Sequence, residues 1–207
     1  MIIVLITGFV LFRQQGFNSS TLLRSLAYSV ALSVRQAQVY GVSVRETAAG
    51  TGVFAPGYGV YFAGNSNGAD QNHYLMFADV NGNGQFVLGE ELPRFTIGNG
   101  RSTGSDYLIK NFCAHSISTG DQCGTGTGTP ITWLSIYFRR PNPDACFATS
   151  QVPTACATAA TTPTYDYAYI QLRSAGINSD YRTIKVTSTG QIAVCKLNLD
   201  SAGVAAC

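Results

Sequence analysis

From residue 23 to residue 41 apolar side chains return every three or four positions: Leu23, Leu26, Ala27, Val30, Val34, Ala37 and Gly41. That spacing is one face of an α-helix. The opposite side is polar, and Arg13, Arg24 and Arg35 stand eleven residues apart, three helical turns, so a single arginine stripe runs along it. Upstream the polar face disappears. The opening MIIVLITGFVLF is an uncharged apolar run, and with the amphipathic stretch it predicts one helix from about residue 2 to 43. Two interruptions qualify that helix. Gly8 costs about 1 kcal/mol relative to alanine, and QGFNSST, residues 15–21, has low helix propensity, so a kink or melted turn is expected there.

Beyond about residue 47 the period shortens to two. Strands are expected around 59–62, 73–78, 91–97, 107–112, 132–140, 165–173 and 182–195, the last a hairpin in which Ile184 and Val186 alternate with Lys185 and Thr187 before a Ser-Thr-Gly turn. GTGTGTP (124–130) and SQVPTACATAATTPT (150–164) are too polar to be core and read as surface loops. The predicted fold class is α+β: a long N-terminal amphipathic α-helix packed on an antiparallel β-rich head. Residues 1–45 are the helix, of which 1–12 form an apolar stem, and 46–207 a disulfide-bonded head.

Composition narrows this picture. A net charge of +2 on 207 residues makes no electrostatic case for a nucleic-acid partner, and 22 glycines with few charges suit short strands joined by exposed turns. Six cysteines, Cys113, Cys123, Cys146, Cys156, Cys195 and Cys207, fall into three close pairs with no CxxC among them. Only His73 and His115 are available to supplement thiolate ligands, so disulfides are expected rather than a zinc or iron-sulfur site. Short loops favour neighbour pairing: Cys113 with Cys123, Cys146 with Cys156, and Cys195 with Cys207. Such bonds persist in oxidising compartments, which places the head outside the cytoplasm. An export signal is then needed. Twelve residues at ~1.5 Å rise cover about 18 Å of a ~30 Å hydrocarbon core, with neither a basic stretch before them nor a clear cleavage site after, so further residues are expected upstream of Met1.

One motif carries chemistry. In DVNGNGQFVLGEE, Asp79, Asn81 and Asn83 occupy the first, third and fifth positions of a twelve-residue calcium loop. Gly84 is at the sixth, Gln85 offers its backbone carbonyl at the seventh, and Glu90 is at the twelfth. The competing reading is an ion-free Asn-Gly turn. With two carboxylates the expected affinity is modest, ~10⁻⁴ to 10⁻³ M, a constitutive clip rather than a switch. No catalytic constellation is legible: the cysteines are committed, the histidines have no sequence-adjacent partner, and the glycine repeats lack the lysine of a phosphate loop.

These stretches resemble the type IV pilins and the pseudopilins of type II secretion. MIIVLITGFVLF is similar to the apolar stem after the prepilin cleavage site, and LLRSLAYSVALSVRQAQVYGVSVRE to the amphipathic half of the pilin helix. In the head, GYGVYF and YLMFADVNGNG resemble central strands, and TIKVTSTGQIAVC the terminal hairpin of the FimT-like and H-type branch. The family's usual Phe-Thr-Leu-Ile-Glu opening is absent, and the chain starts at what corresponds to the residue after that glutamate. The resemblance implies a structural subunit, not an enzyme, that polymerises with itself into an extracellular filament through Met1, Ile2, Ile3, Val4, Leu5, Ile6, Phe9, Val10, Leu11 and Phe12. It implies residence in the inner membrane before assembly, and handling by pilus-assembly machinery. Two alternatives remain: a minor pseudopilin of a secretion system, or a membrane-anchored surface binding module.

Overall fold

The computed structural model describes residues 2–43, 45–46, 50, 52–64, 73–97, 107–116, 118–124, 129–156, 164–174 and 180–196, with helix side chains described from Ser20 onward. The first element is α1 (Ile2–Val42), which stays helical through residues 15–21, so the melted turn expected there does not form. Helix propensity is a weak prior that tertiary contacts override, and the far end of that segment is held: the Ser20 hydroxyl donates to Asp180 Oδ2 at 3.1 Å. Leu23, Ala27, Val30, Val34 and Ala37 are all buried to 1% exposure or less, as their spacing requires.

Among the described residues eleven strands follow: β1 (Gly57–Ala63), β2 (His73–Asp79), β3 (Glu91–Thr96), β4 (Leu108–Ser116), β5 (Gly120–Cys123), β6 (Thr129–Pro130), β7 (Trp133–Arg139), β8 (Ala145–Thr149), β9 (Tyr167–Arg173), β10 (Tyr181–Thr187) and β11 (Ile192–Lys196). They form a five-stranded sheet in the order β3-β2-β1-β7-β8 and a six-stranded sheet in the order β11-β10-β9-β4-β5-β6. The first is antiparallel throughout. The second is mixed, because β5 and β6 run parallel.

The α+β expectation is therefore corrected. The described structure is mostly β-sheet, two sheets with one helix whose described side chains span only residues 20–42, and it is not a long helix set on an antiparallel head. The physical reason is where the apolar surface goes. α1 packs on β1 and β7 of one sheet and on β9, β10 and β11 of the other. The core joins Leu23, Val30 and Val34 to Phe62, Ile136 and Phe138 on one side and to Ile170, Leu172, Ile184 and Val186 on the other. The helix is one layer of a shared core. Gln38 completes the junction, its amide donating to the carbonyls of Pro143 at 2.8 Å and Gly190 at 2.9 Å, one from each sheet's connections.

The outer face of the five-stranded sheet is also covered. Gly57 and Gly59 of β1 face outward, where a methyl would overlap the Tyr137 and Phe77 rings respectively, and those rings stack at 6.4 Å. Absent Cβ atoms let aromatic neighbours lie across the strand. Phe86, Ala148 and Cys156 join this second apolar cluster. The loop expected over 150–164 is corrected in part: Cys156 is 2% exposed and Ala155 packs beside it, while residues 157–163 lie outside the described residues.

The buried stripe makes a stability prediction. Leu23→Ala removes a fully buried side chain from the shared core and is expected to cost ~2–5 kcal/mol in urea denaturation. Leu32→Ala, on the solvent side of the same helix, should stay within about 0.5 kcal/mol. Equal losses at the two positions would contradict the seating of α1.

Candidate functional site: an oxygen-lined loop between β2 and β3

Asp79 ends β2 and is fully buried, and Glu90 precedes β3 at 9% exposure. The backbone closes beneath them, with Ala78 N–H donating to the Glu90 carbonyl at 3.0 Å. Asp79 Oδ1 accepts from the backbone N–H groups of Gly82 at 2.8 Å and Asn83 at 3.1 Å, and Oδ2 accepts from Gly84 at 2.9 Å. Asn81 Oδ1 accepts from Asn83 N–H at 2.9 Å, and Asn83 Oδ1 from Gln85 N–H at 2.8 Å. The two asparagines thus bond the backbone two residues on, the Asx-turn habit, while Asp79 reaches three to five residues on. The chain is coiled so that the side-chain oxygens at positions one, three and five accept from the loop's own backbone. Gly84 makes the sharp turn at φ 72°, a left-handed conformation that glycine adopts without Cβ strain.

Glu90 lies across the same opening. Its Oε1 accepts from Val80 N–H at 3.0 Å, Asn81 N–H at 3.3 Å and Asn81 Nδ2 at 2.9 Å, and its Oε2 from Val87 N–H at 3.1 Å. Among the described residues no lysine or arginine pairs with either carboxylate. Two buried carboxylates in one loop, compensated only by N–H dipoles, leave a local negative charge that a cation would neutralise. The donors are carboxylate, amide and carbonyl oxygens, a set that suits a hard cation such as Ca²⁺. Of the predicted ligands, the structure brings Asp79, Asn81, Asn83 and Glu90 into one hydrogen-bonded loop, with Gln85 tied to Asn83 through its N–H.

Tyr137 is the participant that sequence reasoning missed. In β7, opposite Gly59, it is 2% exposed, and its hydroxyl faces the Asp79 carboxylate without a hydrogen bond of standard geometry among the described residues. Burial, then the Asp79 carboxylate beside it, pushes its pKa up, with Glu90 adding to the effect. Only the β1–β7 register brings it to the loop, and no local pattern marks it.

The disulfides follow the neighbour expectation where they are described: Cys113–Cys123 and Cys146–Cys156 are closed. Cys195 is disulfide-bonded too, and Cys207 lies outside the described residues. Of the expected assembly residues, Met1 lies outside the described residues, and the rest belong to the undescribed side chains of α1. His115 has no sequence-adjacent partner, but the fold gives it one: its Nδ1 lies 2.6 Å from Asp121 Oδ1, its ring stacks on Tyr167 at 4.6 Å, and the Tyr169 hydroxyl donates to Asp121 at 3.2 Å. The turn between β4 and β5 folds the two residues face to face, and the surrounding groups are phenols rather than an activated nucleophile. Comparison of the chain with protein-family models, with curated proteins and with solved structures gave no match.

Two substitutions separate the loop's bonded from its unbonded groups. Asp79→Ala strips three backbone N–H groups of their acceptor and should cost at least about 2 kcal/mol by chemical denaturation without added calcium. Tyr137→Phe removes a hydroxyl with no well-formed hydrogen bond and should leave stability within about 0.5 kcal/mol, or raise it. A loss above ~1 kcal/mol for Tyr137→Phe would mean that the hydroxyl bonds Asp79 in solution.

Proposed function

We propose that the chain is a structural subunit that polymerises through the apolar start of α1 into an extracellular, type IV pilus-like filament, with its β-sheet body held by disulfides and a Ca²⁺ loop. One observation carries the reading: α1 enters the shared core by its face from Leu23 to Ala37, while the same helix begins with an uncharged apolar run. Apolar surface of that length is stabilised by removal from water at ~25 cal/mol per Å², and neighbouring copies of the helix supply that burial in a filament. No helix of the described residues is long and apolar enough to cross a membrane. Neighbour disulfides support service in an oxidising compartment. The calcium loop lies far along the chain from the assembly segment and acts as a clip: by bridging Asp79 to Glu90 it holds the end of β2 to the start of β3.

A surface binding module is the second reading. It is favoured by a cavity of about 460 Å³ lined in part by Arg139, Asn142, Asp144, Phe147 and Thr164, a volume in the range of small-molecule pockets.

Electron microscopy of material sheared from cells decides between the readings. The subunit reading expects filaments with a helical repeat, abolished by Ile3→Asp or Leu5→Asp while the body's circular dichroism is unchanged. Normal filaments from both variants, or no filaments from the wild type, would refute it. For the clip, 1 mM Ca²⁺ acting on a site of Kd ~10⁻⁴ M should stabilise the body by about 1.4 kcal/mol, a rise in Tm of roughly 3–6 °C that chelator reverses. Asp79→Ala should be indifferent to chelator, and a wild-type melting curve that chelator leaves unmoved would remove calcium from the proposal.

A further inference from the structure

We propose that the Cys146–Cys156 disulfide sets the cation affinity of the 79–90 loop, so that the loop becomes a working divalent-cation site only once that bond is closed. The inference rests on the calcium reading above and adds its control. The contact that carries it is between Gly84 and Cys156. Gly84 supplies the turn at the sixth position of the loop and donates its N–H to Asp79 Oδ2 at 2.9 Å. Its Cα lies directly on Cys156: a methyl there would overlap the Cys156 Cβ and come within 2.9 Å of its carbonyl carbon and 3.0 Å of its carbonyl oxygen. Cys156 therefore forms the wall against which the sixth residue is turned. The next side chain but one, Phe86, packs in the same cluster as Phe77, Tyr137 and Cys156, with Cys146 and Ala155 at its margin. The buried Tyr137 hydroxyl stands beside Asp79 from that side, and Tyr137 pairs across the ladder with Cys146. One half of the disulfide is thus the strand neighbour of the tyrosine at the carboxylate, and the other half is the support of the turn.

The disulfide is the covalent hold on Cys156 itself, while Gln151 Nε2 donating to the Pro130 carbonyl at 2.8 Å, Thr132 N–H donating to the Ser150 hydroxyl at 2.9 Å and the packing of Val152 on the shared core hold the front of the 150–156 segment. Its backbone bonds are long: Thr149 N–H to the Val152 carbonyl at 3.4 Å and Ala155 N–H to the same carbonyl at 3.4 Å. The Thr149 hydroxyl adds acceptors for Gln151 N–H at 3.3 Å and Val152 N–H at 3.2 Å, all of them ahead of Cys156. Reduction by a dithiol breaks the S–S bond, places two electrons and two protons on Cys146 and Cys156 as thiols, and leaves the dithiol oxidised. Cys156 is then free to leave Gly84, water reaches the Gly84–Asp79 bond, and the carboxylates at positions one and twelve lose their preset separation. Groups that orient metal ligands without touching the metal are worth tenfold to a hundredfold in affinity, which is the weakening expected here. Linkage makes the effect reciprocal: calcium must favour the closed disulfide by the same factor. A chain holding reduced thiols would accordingly carry a weak site, and the oxidised chain a competent one.

The Cys113–Cys123 bond provides an internal control, since it lies in the six-stranded sheet against Tyr169 and away from the loop. The test measures Ca²⁺ binding to the full chain by calorimetry for three proteins: oxidised wild type, Cys146→Ser/Cys156→Ser and Cys113→Ser/Cys123→Ser. Weakening of roughly tenfold to a hundredfold in the first variant, with the second like wild type, is the expected result. Equal affinity in all three overturns the coupling and leaves the calcium clip standing. No binding to oxidised wild type overturns the clip itself, and the coupling with it. A reciprocal measurement needs no variant: in a dithiol redox buffer, mass spectrometry after alkylation should find the Cys146–Cys156 equilibrium shifted toward the disulfide by millimolar Ca²⁺, and Cys113–Cys123 unmoved. A Ca²⁺-independent Cys146–Cys156 equilibrium would refute the coupling even where the serine variant fails to fold.

Discussion

Burial of the Leu23–Ala37 face of α1 is the constraint on which the rest of the structure depends. Neither sheet closes a core alone. The five-stranded sheet presents Val60, Phe62, Ile136 and Phe138 on its inner side, the six-stranded sheet Ile170, Leu172, Ile184 and Val186, and the helix contributes to both sets at once. Small residues at Ala27, Ala37 and Gly41 let it come close; a methyl on Gly41 would meet the Phe138 backbone. The Gln38 amide then ties connections from the two sheets together, so that a polar side chain buried among apolar ones has both donor bonds satisfied.

A second layer of packing, on the opposite face of the five-stranded sheet, builds the candidate site. Gly57 and Gly59 make room for Tyr137 and Phe77, those rings receive Phe86, and Cys156 closes the cluster against Gly84. The oxygen-lined loop is therefore not a free appendage between two strands. Its turn is shaped on one side by Asp79 and the asparagines, and on the other by a disulfide loop reached through the β1–β7–β8 pairing. This arrangement links three levels of the molecule: strand register positions a tyrosine and a cysteine, these shape a turn, and the turn aims the oxygens.

The functional reading has the same division. In the proposed reading the loop and the disulfides would hold the body together, whereas assembly would fall to the apolar start of α1, and the two draw on separate residues. Clips of this kind would add stability by binding the folded state, without enlarging an already shared core.

Much of this was legible without coordinates. A period of three to four over Leu23–Gly41 marked the buried helix face, the expected strands marked β1, β2, β3, β4, β7, β9, β10 and β11 within a few residues, short spacing paired Cys113 with Cys123 and Cys146 with Cys156, and the order Asp-Asn-Asn-Gly-Glu marked a loop whose side chains bond its own backbone. Each is local chemistry, read over a window that a helix turn, a strand or a loop spans. Other features required chain-distant segments to meet. β5, β6 and β8 are too short to show a period, and they exist because β4 and β7 offer them partners. Predominance of sheet over helix followed from two sheets sharing one helix, which no single segment encodes. His115 found Asp121 across a turn, and Tyr137 and Cys156 reached the loop through register alone. The amino-acid order determined which residues can turn, pair and coordinate, while tertiary packing decided which of them stand next to one another, because the free energy of burial belongs to faces assembled from many segments and not to any one of them.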